Sequence, residues 1–135
     1  MGETKTIVQK AIEMGDFSTL VDAAKKLGLD KKFDSDGPYT IFAPMEKAFE
    51  PIPDSVIDEA FDDPDYLMDV INNHIVKGKY LISDLMEIDS LTALNDKELE
   101  ISKDGDVKIN GIPIEKENIE CSNGVIHAIA DILIP

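Results

Sequence analysis

The sequence predicts an α+β domain, and two observations carry that prediction. Residues 5–28 have apolar side chains at helical spacing, whereas residues 97–132 combine alternating apolar side chains with two-residue turn signals. Helices that precede antiparallel strands are typical of the α+β class rather than of alternating βα units. Because 135 residues is the length of one domain, we predict a single domain over 1–135, ordered from about residue 4.

Two short helices open the chain. In KTIVQKAIEMG the apolar residues recur at helical spacing, and Gly15 is the stop signal. Asp16 is positioned to cap the second helix, FSTLVDAAKKLG, which Gly28 ends.

The centre of the chain is predicted to hold one strand followed by interrupted helices. After a turn at Gly37-Pro38, the β-forming residues of YTIFA predict a strand that stops at Pro44. Residues 45–76 have helical spacing broken by prolines at positions 51, 53 and 64. The segment HIVKGKYLI alternates loosely around Lys77-Gly78, which indicates a strand or a turn between two short extended pieces.

Turn signals organise the second half into strands. Asp104-Gly105 separates two alternating runs, which is a strong hairpin signal, and Asn110-Gly111 marks another turn. Asn123-Gly124 starts the closing strand, because both residues tolerate positive φ. His127 lies on this strand among apolar neighbours, so we predict that it is buried with its ring nitrogens hydrogen-bonded to the backbone.

Composition excludes several classes of function. The formal net charge is −15, from 28 acidic residues and 13 basic ones, all of them lysine. Nucleic-acid binding needs clustered cations, so we expect no nucleic-acid partner, and the same charge opposes binding to anionic lipid. No apolar stretch approaches the roughly 20 residues that span a bilayer, so we expect no direct membrane insertion. The polar start shows no signal peptide, although Met1-Gly2 could be an added start.

Four segments together resemble one protein family. YTIFAPMEKAF has a strand, then Phe-Ala-Pro, then Ala-Phe, and SNGVIHAIADILIP has Asn-Gly, an apolar-His-apolar strand and a final Leu-x-Pro. With the opening helices and NNHIVKGKY in matching order and spacing, the chain is similar to a single fasciclin-like domain along almost its whole length. The signature residues, to which the resemblance assigns a structural role, are Phe42, Ala43, Pro44, Phe49, Asn123, Gly124 and His127.

The resemblance implies a fold and a general function. The implied fold is a β-wedge of two antiparallel sheets with helices, including the N-terminal pair, packed on it. The implied function is an extracellular or cell-envelope module for adhesion or protein interaction, with a protein or cell-surface partner, no catalysis and no cofactor. The alternative is a glycan-binding or small-molecule-binding domain of the cell surface, although the chain has no Trp and most of its aromatic residues fit the core pattern.

The resemblance also suggests a contact patch, from which this chain departs. In animal members of the family that this chain resembles, a Tyr-His pair and an Asp-Ile step attach to integrins. Here Asn73 precedes His74, and Asn118-Ile119 replaces the acidic step, so the carboxylate that a hard cation would bind is absent and we expect no integrin ligand. His74 fits a packed, hydrogen-bonded role better than a contact role. The candidate partner contacts are His74, Ile75, Val76, Lys77, Lys79, Tyr80, Asn118 and Ile119.

The first signature departs from the family pattern as well. Met45 and Glu46 stand where the family has a hydroxyl residue and a polar residue, so a side-chain cap on the next helix is lost. Glu46 is still expected to favour the N-terminal dipole of that helix. These changes indicate a divergent, microbial member.

Metal binding and catalysis are the rival interpretations. The DSDG segment at 34–37 fails the calcium-loop template, because Lys32 and Ala43 occupy positions that require carboxylates, so we predict a turn there. A zinc site built on Cys121 and the two histidines lacks closely spaced ligand pairs. Glu120 beside Cys121, the single cysteine, opposes formation of a reactive thiolate, and there is no phosphate-binding loop or hydrolase elbow. We therefore expect no metal site and no enzyme.

Overall fold

Five α-helices and seven strands make up the part of the chain that the computed structural model describes, residues 6–15, 17–28, 38–103, 107–121 and 124–132. The helices are α1 (Ile7–Met14), α2 (Ser18–Lys26), α3 (Asp54–Asp62), α4 (Pro64–Asn72) and α5 (Ile82–Leu85), with a short 3-10 helix at Glu46–Ala48. The strands are β1 (Tyr39–Pro44), β2 (Ile75–Lys77), β3 (Ser90–Thr92), β4 (Glu98–Ser102), β5 (Lys108–Ile109), β6 (Ile112–Cys121) and β7 (Gly124–Ile129). This order confirms the α+β class, whereas α5 and β3 were not predicted.

The first two helices are held by caps of different origin. Thr6 and Gln9 form a reciprocal capping box at the start of α1, and Gly15, at φ 73°, ends that helix as predicted. The predicted cap Asp16 lies outside the described residues. A cap for α2 comes instead from the 3-10 helix, where the Glu46 carboxylate accepts a hydrogen bond from the Thr19 N–H at 2.5 Å.

Prolines divide the next helical stretch, as predicted. α3 begins directly after Pro53, and Pro64 is the first residue of α4, a position where its missing N–H costs nothing. The Asp63 carboxylate between the two helices accepts a hydrogen bond from the Tyr66 N–H at 3.2 Å and so caps α4. A single residue, Asp63, therefore separates the two helices.

The strands form one bent sheet in the order β2-β1-β7-β6-β5-β4-β3. This differs in detail from two purely antiparallel sheets, because β1 and β7 run parallel from Tyr39↔Gly124 to Pro44↔Ile129. Parallel pairing is possible here since most of the chain lies between these two strands and no tight turn joins them. Residues 112–113 of β6 pair with β5, and residues 114–121 pair with β7. Register shifts between residues 114 and 119 bend the part of β6 that pairs with β7.

Two predicted turns can be compared with the structure. Asn110 and Gly111 both have positive φ, 52° and 81°, and join β5 to β6 as a two-residue turn. β4 pairs antiparallel with β5, as the hairpin prediction requires. The hairpin tip at Asp104-Gly105, the turn at 34–37 and Asn123 lie outside the described residues.

The sheet separates two apolar clusters. One lies between the helices and one face of β1 and β7, and includes Phe17, Ile41, Leu67, Ile71 and Ile126. The other lies on the opposite face, under β3 to β5, and includes Phe42, Leu85, Leu99, Ile109 and Ile129. Because both faces are covered, every residue of β1 and β7 is buried.

Candidate functional site

The closing strand begins at the point where it lies closest to β1. Gly124 pairs with Tyr39, and a Cβ atom placed on Gly124 would lie 2.0 Å from the Tyr39 carbonyl oxygen and 2.9 Å from the Tyr39 nitrogen. Only glycine permits this approach. The neighbouring backbone of β1 therefore requires glycine at position 124, in addition to the turn that was predicted there.

His127 is fully buried in the middle of β7. Its Nε2 donates a hydrogen bond to the Tyr80 carbonyl oxygen at 2.7 Å, and its ring stacks on Phe42 with the ring centroids 5.8 Å apart. Burial lowers the pKa of His127, although the bond to Tyr80 and the charge of Glu117 act in the opposite direction. The prediction of a buried, backbone-bonded histidine is confirmed.

The segment from Gly78 to Tyr80, which leads from β2 to α5, is tied to the sheet by a side chain that sequence reasoning missed. Thr40 is fully buried in β1, and its hydroxyl donates to the Gly78 carbonyl oxygen at 2.7 Å and accepts from the Tyr80 N–H at 2.8 Å. The only signal for this role was one hydroxyl residue within the apolar run YTIFA. Together with the bond from His127, three side-chain hydrogen bonds hold this segment in place.

We expect replacement of His127 by leucine to lower the free energy of unfolding by about 1–3 kcal/mol, because the buried Tyr80 carbonyl loses its donor. Urea denaturation followed by circular dichroism measures this loss. Partner attachment of the folded variant should be unchanged, since Thr40 still holds the segment. A loss of attachment at full stability would contradict the structural role.

The structure places three predicted contact residues in the interior. His74, Ile75 and Val76 are only 1%, 1% and 3% exposed. The His74 Nδ1 donates to the Val70 carbonyl oxygen at 2.7 Å, at the C-terminal end of α4. The prediction that these residues contact a partner is therefore wrong. Ile75 and Val76 pack in the two apolar clusters, and His74 has the packed role that the sequence favoured.

Burial also sets the protonation of His74. It lowers the pKa of the imidazole to about 4, and the hydrogen bond to Val70 offsets only part of that shift. His74 is therefore neutral in the folded protein near pH 7.

The exposed remainder of the predicted patch consists of Lys77, Lys79 and Tyr80, which we term the lysine patch. Both lysines are exposed and Tyr80 is half-buried. The Lys79 ammonium forms an ion pair with Glu120 at 2.9 Å, which links the segment after β2 to β6. The patch thus presents two exposed lysines, one of them paired with Glu120, next to a backbone segment that Thr40 and His127 hold in place.

The second predicted contact step lies across the sheet from the first. Ile119 and Ile75 occupy one row of paired residues, Ile75-Ile41-Ile126-Ile119, so three strand spacings of about 4.8 Å separate them. Ile119 is half-buried against the helical cluster. The side chain of Asn118 lies outside the described part of the chain. The backbone positions of Ile75 and Ile119 are thus three strands apart, although the Lys79–Glu120 ion pair joins the segments that follow them.

No metal site or membrane helix emerges from the described residues. Among them, no group of three His, Cys, Asp or Glu side chains could hold a metal ion, and no helix is long and apolar enough to cross a membrane. Cys121 is buried, and its thiol donates to the Ile119 carbonyl oxygen at 3.6 Å.

The structure defines a domain of the α+β class, with helices α1 to α4 on one face of a bent sheet, a parallel pair of first and last strands and a buried histidine. The family model of the Fasciclin domain matches residues 15–135. The chain belongs to the fasciclin-domain family.

Relatives come from animals and bacteria. The chain is 39% identical over 131 residues to transforming growth factor-beta-induced protein ig-h3 of Sus scrofa, covering 95% of this chain but 19% of that protein. It is 35% identical over 136 residues to protein sll1483 of Synechocystis sp., covering 96% of this chain and 73% of that protein. The chain thus spans about a fifth of the length of its ig-h3 relative.

A solved structure supports the fold. The FAS1 domain pair of the insect cell adhesion molecule Fasciclin I matches 98% of this chain and 52% of its own, with a TM-score of 0.81 and 18% identity. At that identity the likeness concerns the fold alone, and it confirms the predicted fasciclin-like architecture.

Proposed function

We propose that this domain is a non-catalytic adhesion or protein-interaction module that acts outside the cell or at the cell envelope. The match of the fasciclin family to residues 15–135 carries the proposal. It is supported by a structural neighbour that belongs to an insect cell adhesion molecule.

The lysine patch is the proposed contact surface. In a chain of net charge −15, Lys77 and Lys79 stand two residues apart and both are exposed, Lys79 with Glu120 as its ion-pair partner. Their backbone is already fixed by Thr40 and His127, so little conformational entropy is lost when a partner binds. The partner that fits this surface is a protein or cell-surface component with anionic groups.

A direct attachment assay tests the proposed function. The domain is immobilised, and cells or cell-envelope fragments of the source organism are applied across a salt series with soluble domain as competitor. Saturable attachment that the free domain abolishes is the expected result, and it should weaken with salt because the lysine contacts are exposed. Absence of attachment at every salt concentration would overturn the proposal.

Charge reversal tests the patch itself. Lys77→Glu combined with Lys79→Glu should weaken attachment by about tenfold at low salt, from two surface charge contacts each worth up to about 1 kcal/mol. The readout is the half-saturating concentration of the soluble competitor.

A matched pair elsewhere controls for net charge. Lys25→Glu with Lys103→Glu changes the charge equally, and Lys103, like Lys79, has an ion-pair partner, Asp89 at 3.0 Å. Lys25 lies in the last turn of α2, where a cation favours the helix, so this control is if anything the less stable variant. Equal weakening by both pairs would exclude the lysine patch as the contact surface.

A further inference from the structure

A pocket of about 430 Å³ lies between α2, α3 and α4, and none of the lysine-patch residues lines it. Its walls are mostly aliphatic and aromatic, with Leu20 and Ala23 from α2, Phe49 from the chain before α3, and Leu67 and Ile71 from α4. The volume is about three times that of the ~150 Å³ apolar cavity that holds a benzene-sized molecule, and it falls in the usual range of small-ligand sites.

Helix α3 forms the outer wall without filling the space behind it. Val56, Ile57, Ala60 and Phe61 recur at helical spacing and all line the pocket. Even so, no residue of α3 is buried, and Val56 is 50% exposed. Protein interiors are normally close-packed, so an apolar helix face beside this much open volume indicates a place for an apolar occupant.

The negative charge around the pocket restricts the class of ligand that can bind there. Residues 48–76, which include all of α3 and α4, hold eight carboxylates and no lysine. Two of these carboxylates, Glu59 and Asp63, line the pocket. His74 also lines it, but burial lowers its pKa to about 4, so it adds no positive charge near neutral pH. Electrostatic complementarity therefore favours a cationic head group and disfavours a carboxylate.

We propose that this pocket binds a small amphiphile with one aliphatic chain and an ammonium-type head. The chain lies against the apolar faces of α3 and α4, and the head lies at the Glu59 and Asp63 side of the pocket. This site is independent of the lysine patch, so either can fail without the other.

Three ligands with the same ten-carbon chain test the proposal. Decylammonium, decanol and decanoate are titrated at pH 7 below their aggregation concentrations, and binding is followed by amide chemical shifts in ¹⁵N spectra. We expect saturable binding with the affinity order decylammonium, decanol, decanoate, and shifts concentrated on residues 56–61 and 67–71. Failure of all three ligands to bind would show that α3 closes over an empty space, and equal or tighter binding of decanoate would overturn the head-group assignment.

Variants of the rim separate the charge contribution from the apolar one. Glu59→Gln should weaken decylammonium binding by about fivefold, the effect of one exposed charge pair, and leave decanol binding unchanged. Glu98→Gln, the same change at another exposed glutamate, on β4, should alter neither affinity. If the two variants behaved alike, Glu59 would not contact the head.

Filling the pocket tests its location. Ala60 is half-buried on α3, and Ala60→Phe should reduce the affinity for all three ligands at least tenfold while circular dichroism shows the fold intact. Shifts that persist in this variant, or that centre on the lysine patch in the unaltered chain, would place the ligand elsewhere and overturn the proposal.

Discussion

Replacement of Gly124 by alanine is expected to remove a large part of the free energy of unfolding of the protein. The new Cβ would lie 2.0 Å from the Tyr39 carbonyl oxygen and 2.7 Å from the Ile7 Cδ1 atom. The Ile7 side chain can rotate, but the Tyr39 oxygen is backbone in a strand that is buried on both faces. The clash is therefore relieved only by separating β1 from β7, the parallel pair at the middle of the sheet.

The expected loss is at least about 4 kcal/mol of unfolding free energy, against a total of about 5–15 kcal/mol for a domain. Urea denaturation followed by far-ultraviolet circular dichroism measures it. Gly111→Ala is the matched control, because Gly111 also has a positive φ, 81°, but nothing lies within 4 Å of its added Cβ. That variant should lose only about 1–2 kcal/mol from backbone strain. A Gly124→Ala protein as stable as Gly111→Ala would show that the two strands can move apart freely.

Features with local causes could be predicted from the sequence. Gly15 ends α1 and Asn110-Gly111 joins two strands because these residues adopt positive φ whatever lies around them. The break at Pro64 follows from the missing N–H of proline alone. The burial of His127 could be predicted too, since alternation along one strand placed it among apolar neighbours.

Features with distant partners could not be predicted in this way. Glu46 was expected to act on its own helix, but its carboxylate caps α2, 27 residues earlier in the chain. Thr40 bonds to Gly78 and Tyr80, which lie 38 and 40 residues later in the chain. The β1–β7 pairing joins the first strand of the described chain to the last one. No spacing rule reports such contacts, because they depend on how the whole chain is folded.

The candidate site shows the same limit. His74 to Val76 and Lys77 are neighbours in sequence, yet the first three are interior and the last is exposed, because β2 ends at Lys77 and the chain then leaves the cluster. A three-residue strand is too short for alternation to reveal which residues are covered. For α3, the sequence predicted a helical stretch bounded by prolines, but the open volume beside that helix depends on side chains from α2 and α4.

Acidification from pH 7.5 to 5 is expected to cost about 2 kcal/mol of unfolding free energy through His74 alone. The folded pKa of His74 is about 4, whereas an exposed imidazole in the unfolded chain titrates near 6.5. Between these values the unfolded chain binds a proton that the folded protein does not, so stability falls as the pH falls. The contribution of the neutral His74 to the free energy of unfolding is fully present above about pH 6.5. It is lost progressively toward pH 4, and the total loss is on the order of 3 kcal/mol. His127 acts in the same direction, because burial lowers its pKa as well.

The acidic surface works against this effect, so the measurement must separate the two. Protonation of carboxylates on a chain of net charge −15 relieves self-repulsion and adds stability as the pH falls. His74→Asn retains an amide that can donate to the Val70 carbonyl oxygen but does not titrate. The difference in unfolding free energy between the two proteins, measured by urea denaturation from pH 7.5 to 5, cancels the carboxylate and His127 contributions. That difference should move by about 2 kcal/mol, with the unaltered chain losing stability relative to the variant. Parallel pH profiles would show that His74 takes up its proton equally well in the folded and unfolded states. The assignment of a buried, neutral imidazole to His74 would then be wrong.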